Sequence, residues 1–242
     1  MKAQLLSDLH TEFYQDPLAF LGHLTFAPDL DFLLLPGDIV VPGAQTKTTV
    51  ESVLHCLGSK ARHVVFVVGN HEYYHSNKAV ADTILAECMP KNFHWLRNNS
   101  EVIDGLDFYG GTLWFPDKAD NHWYERELND FKLIHGFHDW LNQENELFIS
   151  NATAIKADTV VLSHHIPALG AVGEHYRADR LNRFFMTDLT DLILEKSPRL
   201  WVYGHTHTPR SCTIGQTRVE CNPFGYPREH SRASHHDVIF DI

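Results

Sequence analysis

The chain has 242 residues, of which 43% are hydrophobic and 21% are charged, and its formal net charge is −11 at pH 7. This length and composition are typical of a globular protein, and one domain over residues 1–242 is predicted. The net negative charge repels long polyanions and makes long nucleic acid an unfavourable partner. No apolar run approaches the length of a membrane span, and the four cysteines lack a C-x-x-C spacing. A cytoplasmic protein without a membrane partner is therefore expected.

Five short apolar runs have the length of buried strands, and each is followed by polar residues that can bind metals. In chain order these are 3–6 before Asp8 and His10, 32–35 before Asp38, 64–68 before Asn70 and His71, 159–162 before His164, and 200–203 before His205 and His207. In open α/β sheets the carboxyl ends of the strands project into a shared crevice. The five motifs are therefore predicted to meet at one edge.

The rest of the chain predicts helices over 44–60, 76–89, 139–157 and 182–196. A strand is predicted over 106–109, and a hairpin over 213–219 with its turn at Gly215-Gln216. Strands and helices alternate up to about residue 90, and strand pairs follow. This order predicts an α/β fold with two mixed sheets face to face and helices outside.

The residue types in the five motifs suit hard or borderline cations, because Asp and Asn supply oxygen and His supplies nitrogen. No cysteine lies near them, which makes a thiolate site or an iron–sulfur cluster unfavourable. Asp38 is the natural carboxylate to bridge two ions. Two ions roughly 3.5–4 Å apart can hold a phosphoryl group and lower the pKa of a bound water. Taken singly, each aspartate could be a helix cap and each histidine a surface residue, but the joint pattern predicts a dinuclear hydrolase.

Together the five motifs resemble the signature of the calcineurin-like metallophosphoesterase superfamily, over about residues 1–210. The resemblance implies a four-layer α-β-β-α sandwich with a two-metal site at the carboxyl ends of the strands. It implies divalent or trivalent cofactors, either manganese, iron, zinc or a mixture. It assigns Asp8, His10 and His207 to one ion, Asn70, His164 and His205 to the other, and Asp38 to both.

The resemblance also implies a catalytic role for His71, which is not a ligand in this family and lies near the leaving-group oxygen as a proton donor or electrostatic stabiliser. An acidic residue is expected to orient it, and Asp8, Asp38 and Glu72 are the candidates. The implied reaction is attack of a metal-bridging hydroxide on a phosphate ester, with Asn70 and His71 stabilising charge on the phosphoryl oxygens.

The substrate predicted from the sequence is a small phosphate ester, and monoester and diester remain open. The stretch 39–43 after Asp38 lacks the arginine that serine/threonine protein phosphatases of this superfamily carry there. Two alternatives are a non-catalytic metal-binding scaffold of the same fold and a nuclease acting on short oligonucleotides. The complete motif set argues against the first, and the acidic charge argues against the second.

Four residues are weaker candidates for substrate contacts. His122 and Asn129 lie in residues 114–138, an aromatic and polar stretch that is either a cap loop over the site or a surface loop with one short helix. His165 follows the predicted ligand His164, and Arg228 could pair with a phosphate oxygen or lie in a surface ion pair. Seven further histidines are interpreted as surface or core residues: His23, His55, His63, His94, His230, His235 and His236.

Overall fold

The computed structural model describes residues 1–229 and 238–242, so His230, His235 and His236 lie outside the described residues. The strands are β1 Lys2–Leu5, β2 Leu30–Pro36, β3 Ala61–Val67, β4 Ser76–Asn77, β5 Phe93–Trp95, β6 Asn99–Ile103, β7 Leu106–Gly111, β8 Ile134–His135, β9 Val160–Ser163, β10 Leu200–Tyr203, β11 Arg210–Ile214, β12 Thr217–Cys221 and β13 Ile239–Asp241. The helices are α1 Pro17–Gly22, α2 Lys47–Gly58, α3 Lys78–Cys88, α4 Asp130–Leu133, α5 Leu141–Ala152 and α6 Thr190–Lys196.

Two mixed sheets form the centre of the fold. The first has the order β13-β1-β2-β3-β5, and the second has the order β11-β12-β10-β9-β7-β6. Within each sheet the central strands are parallel. The edge strands β13, β11 and β6 are antiparallel to their neighbours, whereas the edge strand β5 is parallel to β3. The parallel strands β1, β2, β3, β9 and β10 therefore all present their carboxyl ends at one side of the molecule, as predicted.

Buried apolar side chains separate four layers. The inner faces of the sheets pack against each other through residues such as Leu5, Leu34, Val65, Phe108, Val160 and Val202. Helices α1, α2 and α3 cover the outer face of the first sheet, whereas α5 and α6 cover that of the second. Near-continuous apolar runs such as β2 are expected of strands that are buried on both faces. The predicted α-β-β-α sandwich is thus confirmed.

Polar caps determine where two of the helices begin. The Thr46 hydroxyl accepts a hydrogen bond from the backbone N–H of Thr49 at the start of α2, and the Asn77 side-chain carbonyl accepts one from Val80 at the start of α3. None of the helices in the described residues is both long enough and apolar enough to cross a membrane.

The predicted helix over 182–196 is wrong in its first half. A 3-10 turn covers Arg180–Phe184, and α6 begins only at Thr190. Between them the backbone N–H of Thr187 donates to the carbonyl of Ile166 at 3.1 Å, and that of Leu189 donates to Pro167 at 2.8 Å. These tertiary hydrogen bonds replace the local ones that a continuous helix would need.

Residues 114–138 hold more structure than one short helix. They contain 3-10 turns at Asn121–Trp123 and Glu125–Glu127, the helix α4 and the strand β8, which pairs with β4. Trp114 and Phe115 at the start of the segment are buried in the core. The segment is therefore anchored at its base.

Candidate metal and active site

The loops after the parallel strands carry the predicted ligands on an unusual backbone. Five of the seven have a positive φ, between 46° and 69°: Asp8, His10, Asp38, His205 and His207. Residues other than glycine seldom adopt this left-handed conformation, and such strain clusters at functional sites. Gly37, which precedes Asp38, also has a positive φ, of 89°, and a Cβ there would lie 2.5 Å from His164 Nδ1. Close packing of the loops therefore requires glycine at this position.

Backbone hydrogen bonds tie these loops to one another. The backbone N–H of His10 donates to the Asp38 carbonyl at 2.9 Å, which joins the first two loops. The Asp8 carboxylate accepts from the backbone N–H of His205 at 2.8 Å, and the Asp38 carboxylate accepts from that of His71 at 2.9 Å. The second oxygen of Asp8 accepts a hydrogen bond from the Ser7 hydroxyl, whereas that of Asp38 faces His10 and His164.

The predicted ligands form two neighbouring groups. Ligand atoms of Asp8, His10 and His207 lie within 4.8 Å of one another, and so do those of Asp38, His164 and His205. In the first group the Nε2 atoms of His10 and His207 face each other at 2.9 Å. In the second, His164 Nε2 lies 3.1 Å from His205 Nδ1 and 3.0 Å from the side-chain oxygen of Asn70.

Asp38 lies between the two groups. Its Oδ2 atom is 3.7 Å from His10 Nε2 and 3.4 Å from His164 Nε2. One carboxylate oxygen therefore faces a histidine of each group, the position that a bridging ligand requires.

The outer nitrogens of three of the four ligand histidines already make hydrogen bonds, which leaves their inner nitrogens facing the cation sites. His164 Nδ1 bonds the carbonyl of Pro36 at 2.8 Å, and His207 Nδ1 bonds Glu229 at 2.8 Å. His10 Nδ1 bonds Glu12 at 3.2 Å. Metal-binding histidines commonly make such outer bonds, which fix the ring and its tautomer. The donor set and its geometry fit divalent cations in both groups.

The charges in the two groups also suit cations. Burial lowers the pKa of His10, and it lowers the pKa of His205 well below its usual value. Burial alone would raise the pKa of Asp38, but the neighbouring His164 and His71 hold it well below its usual range. Burial likewise opposes charge on His164, yet the Asp38 carboxylate outweighs it and raises the pKa of His164 to about 9. A proton on His164 therefore balances the Asp38 charge at the place where a cation would do so.

Asn70 is held by a residue from the segment 114–138. Its side-chain NH₂ donates to Asp130 Oδ1 at 2.8 Å and to the Tyr74 hydroxyl at 2.9 Å. The Tyr74 hydroxyl in turn donates to the same Asp130 oxygen at 2.7 Å. These contacts turn the amide oxygen of Asn70 towards His164, the orientation that a metal ligand needs.

His71 lies beside the two groups, and each of its ring nitrogens contacts an oxygen of another side chain. Its Nδ1 is 2.8 Å from Glu12 Oε1, and its Nε2 is 3.2 Å from the Tyr226 hydroxyl. Burial alone would lower the pKa of His71, but Asp38 and Glu12 together raise it. The acidic partner of the ring is thus Glu12, and none of the predicted candidates Asp8, Asp38 and Glu72.

Glu72 bonds backbone groups of the loops and makes no hydrogen bond to the His71 ring among the described residues. Its carboxylate accepts hydrogen bonds from the backbone N–H groups of Asp38, Ile39, Val40 and Gly69, at 2.6–3.2 Å. Burial and the Asp38 charge raise the pKa of Glu72 to about 7, whereas the backbone donors favour its ionised form. This one side chain joins the loop after β2 to the loop after β3.

A cavity of about 300 Å³ lies over the two groups, and a wider cleft of about 790 Å³ adjoins it. Both are lined by His71, Tyr74, Asn129, Tyr226 and Glu229. Among the described residues that line the cavity there is no lysine or arginine, whereas Glu127, Asp130 and Glu229 contribute carboxylates. His71 therefore stands where two open spaces meet.

The four weaker candidates lie in different places. Asn129 lines both the cavity and the cleft, and Arg228 lines the cleft as an exposed residue. His122 is exposed, bonds the carbonyl of Ala119 and is absent from the lining of both spaces. His165 is fully buried behind the ligands, between Trp114 and the ring of His205, and burial lowers its pKa to about 3.

Sequence reasoning missed the roles of Glu12, Asp130 and Tyr226. Glu12 follows Asp8 and His10 at the same two-residue step, and that spacing is a signal that could have identified it. Asp130 and Tyr226 carry no such signal, because each reaches the site from a distant part of the chain.

Comparisons with known proteins agree with this geometry. Residues 1–209 match the family model described as calcineurin-like phosphoesterase. The chain belongs to the calcineurin-like phosphoesterase family. This membership supports a phosphoesterase, and the two groups are its candidate metal-binding clusters.

Individual relatives of this phosphoesterase are distant. The uncharacterized protein L509 of Acanthamoeba polyphaga mimivirus is 25% identical, with 93% of this chain and 91% of the viral protein covered. Phosphopantetheinyl hydrolase (PptH) from Mycobacterium tuberculosis has a TM-score of 0.75 at 18% identity, covering 100% of this chain and 95% of that one. TT1561 of Thermus thermophilus has a TM-score of 0.52 at 14% identity, covering 92% and 88%. At such identities the two solved structures establish a shared fold.

Proposed function

We propose that this phosphoesterase binds two metal ions and hydrolyses small phosphodiesters. The observation that carries the proposal is the cavity over Asp38, which the described residues line with carboxylates and with no lysine or arginine. A monoester dianion brings two negative charges, whereas a diester brings one. With two cations as the main positive charge in the site, the singly charged ester is favoured.

The shape of the site supports a diester as well. A phosphodiester carries two alcohol substituents, and His71 stands between the cavity and the wider cleft. One substituent can lie in each space while the phosphoryl group lies over the ligands. A monoester would leave one of the two spaces unused.

The proposed ligands are Asp8, His10 and His207 for one ion, Asn70, His164 and His205 for the other, and Asp38 for both, with manganese, iron, zinc or a mixture as cofactors. The chemistry that two bound cations supply is neutralisation of the phosphoryl oxygens and acidification of a water molecule. The outer hydrogen bonds of His10, His164 and His207 fix the orientation of each ring, so that the inner nitrogen is the one that would bind a cation once any proton on it is displaced.

His71 has the position of the proposed proton donor. Glu12 holds Nδ1, so Nε2 faces the cleft, where the oxygen of the Tyr226 hydroxyl already lies within hydrogen-bond reach. A leaving-group oxygen in that place would receive the proton as its bond to phosphorus breaks. Neither Asn129 nor Arg228 is needed for this step, and both are proposed as contacts of the substituent in the cleft.

The test is hydrolysis of 4-nitrophenyl phosphate and of its matched diester, methyl 4-nitrophenyl phosphate, after chelator treatment and again with added Mn²⁺. We expect metal to restore activity and kcat/KM to favour the diester by about tenfold or more, since one full charge separates the two esters. A preference for the monoester would overturn the diester assignment. Bound metal with no activity on either ester would support the scaffold alternative.

A charge variant sharpens the test. Leu128 lines the cavity, and Leu128→Arg should shift the preference towards the monoester by adding a cation. Leu147→Arg, on the exposed face of α5, is the matched control and should leave the preference unchanged. Equal shifts in both variants would show that overall charge, rather than the lining of the cavity, determines the choice of ester.

A further inference from the structure

A second pocket borders the metal cavity and differs from it in chemistry. It has a volume of about 240 Å³, and its walls are mainly apolar, formed by Ile166, Val172, Leu181, Phe185 and Tyr203. The pocket and the metal cavity share Phe185 and Thr206 in their linings. A concave apolar space beside a catalytic centre is the usual form of a small-molecule subsite.

The position of this pocket assigns it to one side of the substrate. The Phe185 ring lies 4.7 Å from the ring of His205, on the side of the second ligand group. His71 lines the cavity and the cleft but not this pocket. The leaving group is therefore expected in the cleft, next to its proton donor, while the alcohol that stays on phosphorus extends from the metal cavity past Phe185 into this pocket.

One polar atom of the pocket lining lacks a hydrogen-bond partner. Arg210 Nε is buried and has none among the described residues, although its Nη2 donates to the carbonyl of Gly170 at 3.3 Å. The Tyr203 hydroxyl, in contrast, already donates to Ala171 at 3.0 Å. Because this N–H is buried, it is not accessible from the pocket, whose accessible lining stays mainly apolar.

We propose that this pocket, named here the Phe185 pocket, binds the retained alcohol substituent of the phosphodiester and selects an uncharged, mainly apolar group. An apolar cavity of about 150 Å³ is enough for a benzene ring, so the Phe185 pocket accepts a ring or a short chain. The proposal rests on the proposed phosphodiesterase function and adds the substrate class.

The experiment uses three diesters with the same 4-nitrophenol leaving group, in which the retained substituent is methyl, phenyl or 4-carboxyphenyl. With Mn²⁺ bound, kcat/KM should be about tenfold or more higher for phenyl than for methyl, because apolar pockets discriminate to this degree. The carboxylated ring should lose that advantage. Equal values for methyl and phenyl would overturn the Phe185 pocket and leave the phosphodiesterase function intact.

Two glycine variants test whether the preference for the phenyl over the methyl diester arises in the Phe185 pocket. Gly173 lines the pocket, and a Cβ there would meet only Tyr176, at 3.6 Å, so Gly173→Leu fills the space without a backbone clash. It should lower the phenyl-to-methyl ratio about tenfold. Gly22→Leu, where a Cβ meets nothing within 4 Å, is the matched control and should keep the wild-type ratio. An unchanged ratio in Gly173→Leu would place the preference elsewhere and contradict the proposal.

A binding measurement tests the Phe185 pocket without requiring hydrolysis. Dimethyl phosphate and methyl phenyl phosphate lack a good leaving group, so calorimetric titration of the Mn²⁺-loaded protein measures affinity without turnover. Tighter binding of the phenyl ester, lost in Gly173→Leu, would support the pocket even if no diester were hydrolysed. Equal affinities would overturn it.

Discussion

Glu12 Oε1 lies 2.8 Å from His71 Nδ1 and 3.2 Å from His10 Nδ1, so one carboxylate oxygen contacts both a proposed metal ligand and the proposed proton donor. The second oxygen, Glu12 Oε2, is buried without a hydrogen-bond partner in the described part of the chain. The position of His71 is therefore set by the same loop that carries the first two ligands.

The contact between Glu12 and His71 predicts that the two residues act as a unit. His71→Ala should lower kcat about 10²–10⁴-fold with metal content intact, and more for alkyl than for nitrophenyl leaving groups, which need less protonation. Glu12→Ala should lower kcat in the same direction but add little in the His71→Ala background, as measured in a double-mutant cycle at saturating Mn²⁺. Losses that multiply would show independent roles, and loss of metal in His71→Ala would make His71 a ligand.

Asp130 should control metal affinity through Asn70. Asp130→Leu removes the acceptor that orients the Asn70 amide and should weaken binding of one ion about 10–100-fold. Asp130→Asn keeps a side-chain oxygen and should be milder, which makes it the matched control. Titration of the metal-free protein with Mn²⁺ measures both, and equal affinities in the two variants would contradict the proposed orientation.

Glu72 should stabilise the fold of the metal-free protein. Glu72→Gln replaces a carboxylate that accepts four backbone hydrogen bonds with an amide whose NH₂ faces donors, so the free energy of unfolding should fall by about 2–3 kcal/mol. Glu87→Gln is the control, because Glu87 pairs with Lys47 on the surface and such pairs contribute about 0–1 kcal/mol. Urea unfolding compares the variants, and similar losses would refute this role.

Metal affinity should fall as the pH is lowered. Burial opposes charge on His164, but the Asp38 carboxylate raises the pKa to about 9, so below that pH a cation must displace a proton. Displacement of one proton weakens apparent affinity by about tenfold per pH unit and releases that proton on binding. Calorimetry between about pH 6.5 and 8, in buffers of different ionisation enthalpy, measures both. Constant affinity across this range would show that His164 is already neutral.

The sequence predicted the sheets and the two groups because strand and ligand are neighbours in the chain. Each ligand follows an apolar run by a few residues, so the strand order carries it to the common edge. The partners of Asn70 and His71 come from 60, 59 and 155 residues away, at Asp130, Glu12 and Tyr226. The contacts of Asp130 and Tyr226 depend on how loops pack, which local patterns do not encode, whereas the two-residue spacing after Asp8 and His10 was a signal for Glu12.

The prediction of a continuous helix over 182–196 was wrong for a related reason. Its composition suits a helix, but Thr187 and Leu189 bond to the chain after β9 instead of to their own neighbours. Tertiary hydrogen bonds of this kind override local propensity. The same non-helical segment places Phe185 beside His205. The residues for which the helix prediction was wrong therefore include one that lines the Phe185 pocket.

The backbone is left-handed at five proposed ligands, Asp8, His10, Asp38, His205 and His207. This conformation predicts which substitutions would accumulate at these positions in a relative that no longer bound metal. Histidine in that conformation costs about 1 kcal/mol relative to glycine, a cost that selection tolerates only while the ligand is useful. A descendant freed from its metals would gain stability by drifting to glycine or asparagine at these positions. Decayed relatives should therefore be recognisable by glycine and asparagine at the former ligand positions on an otherwise intact sandwich.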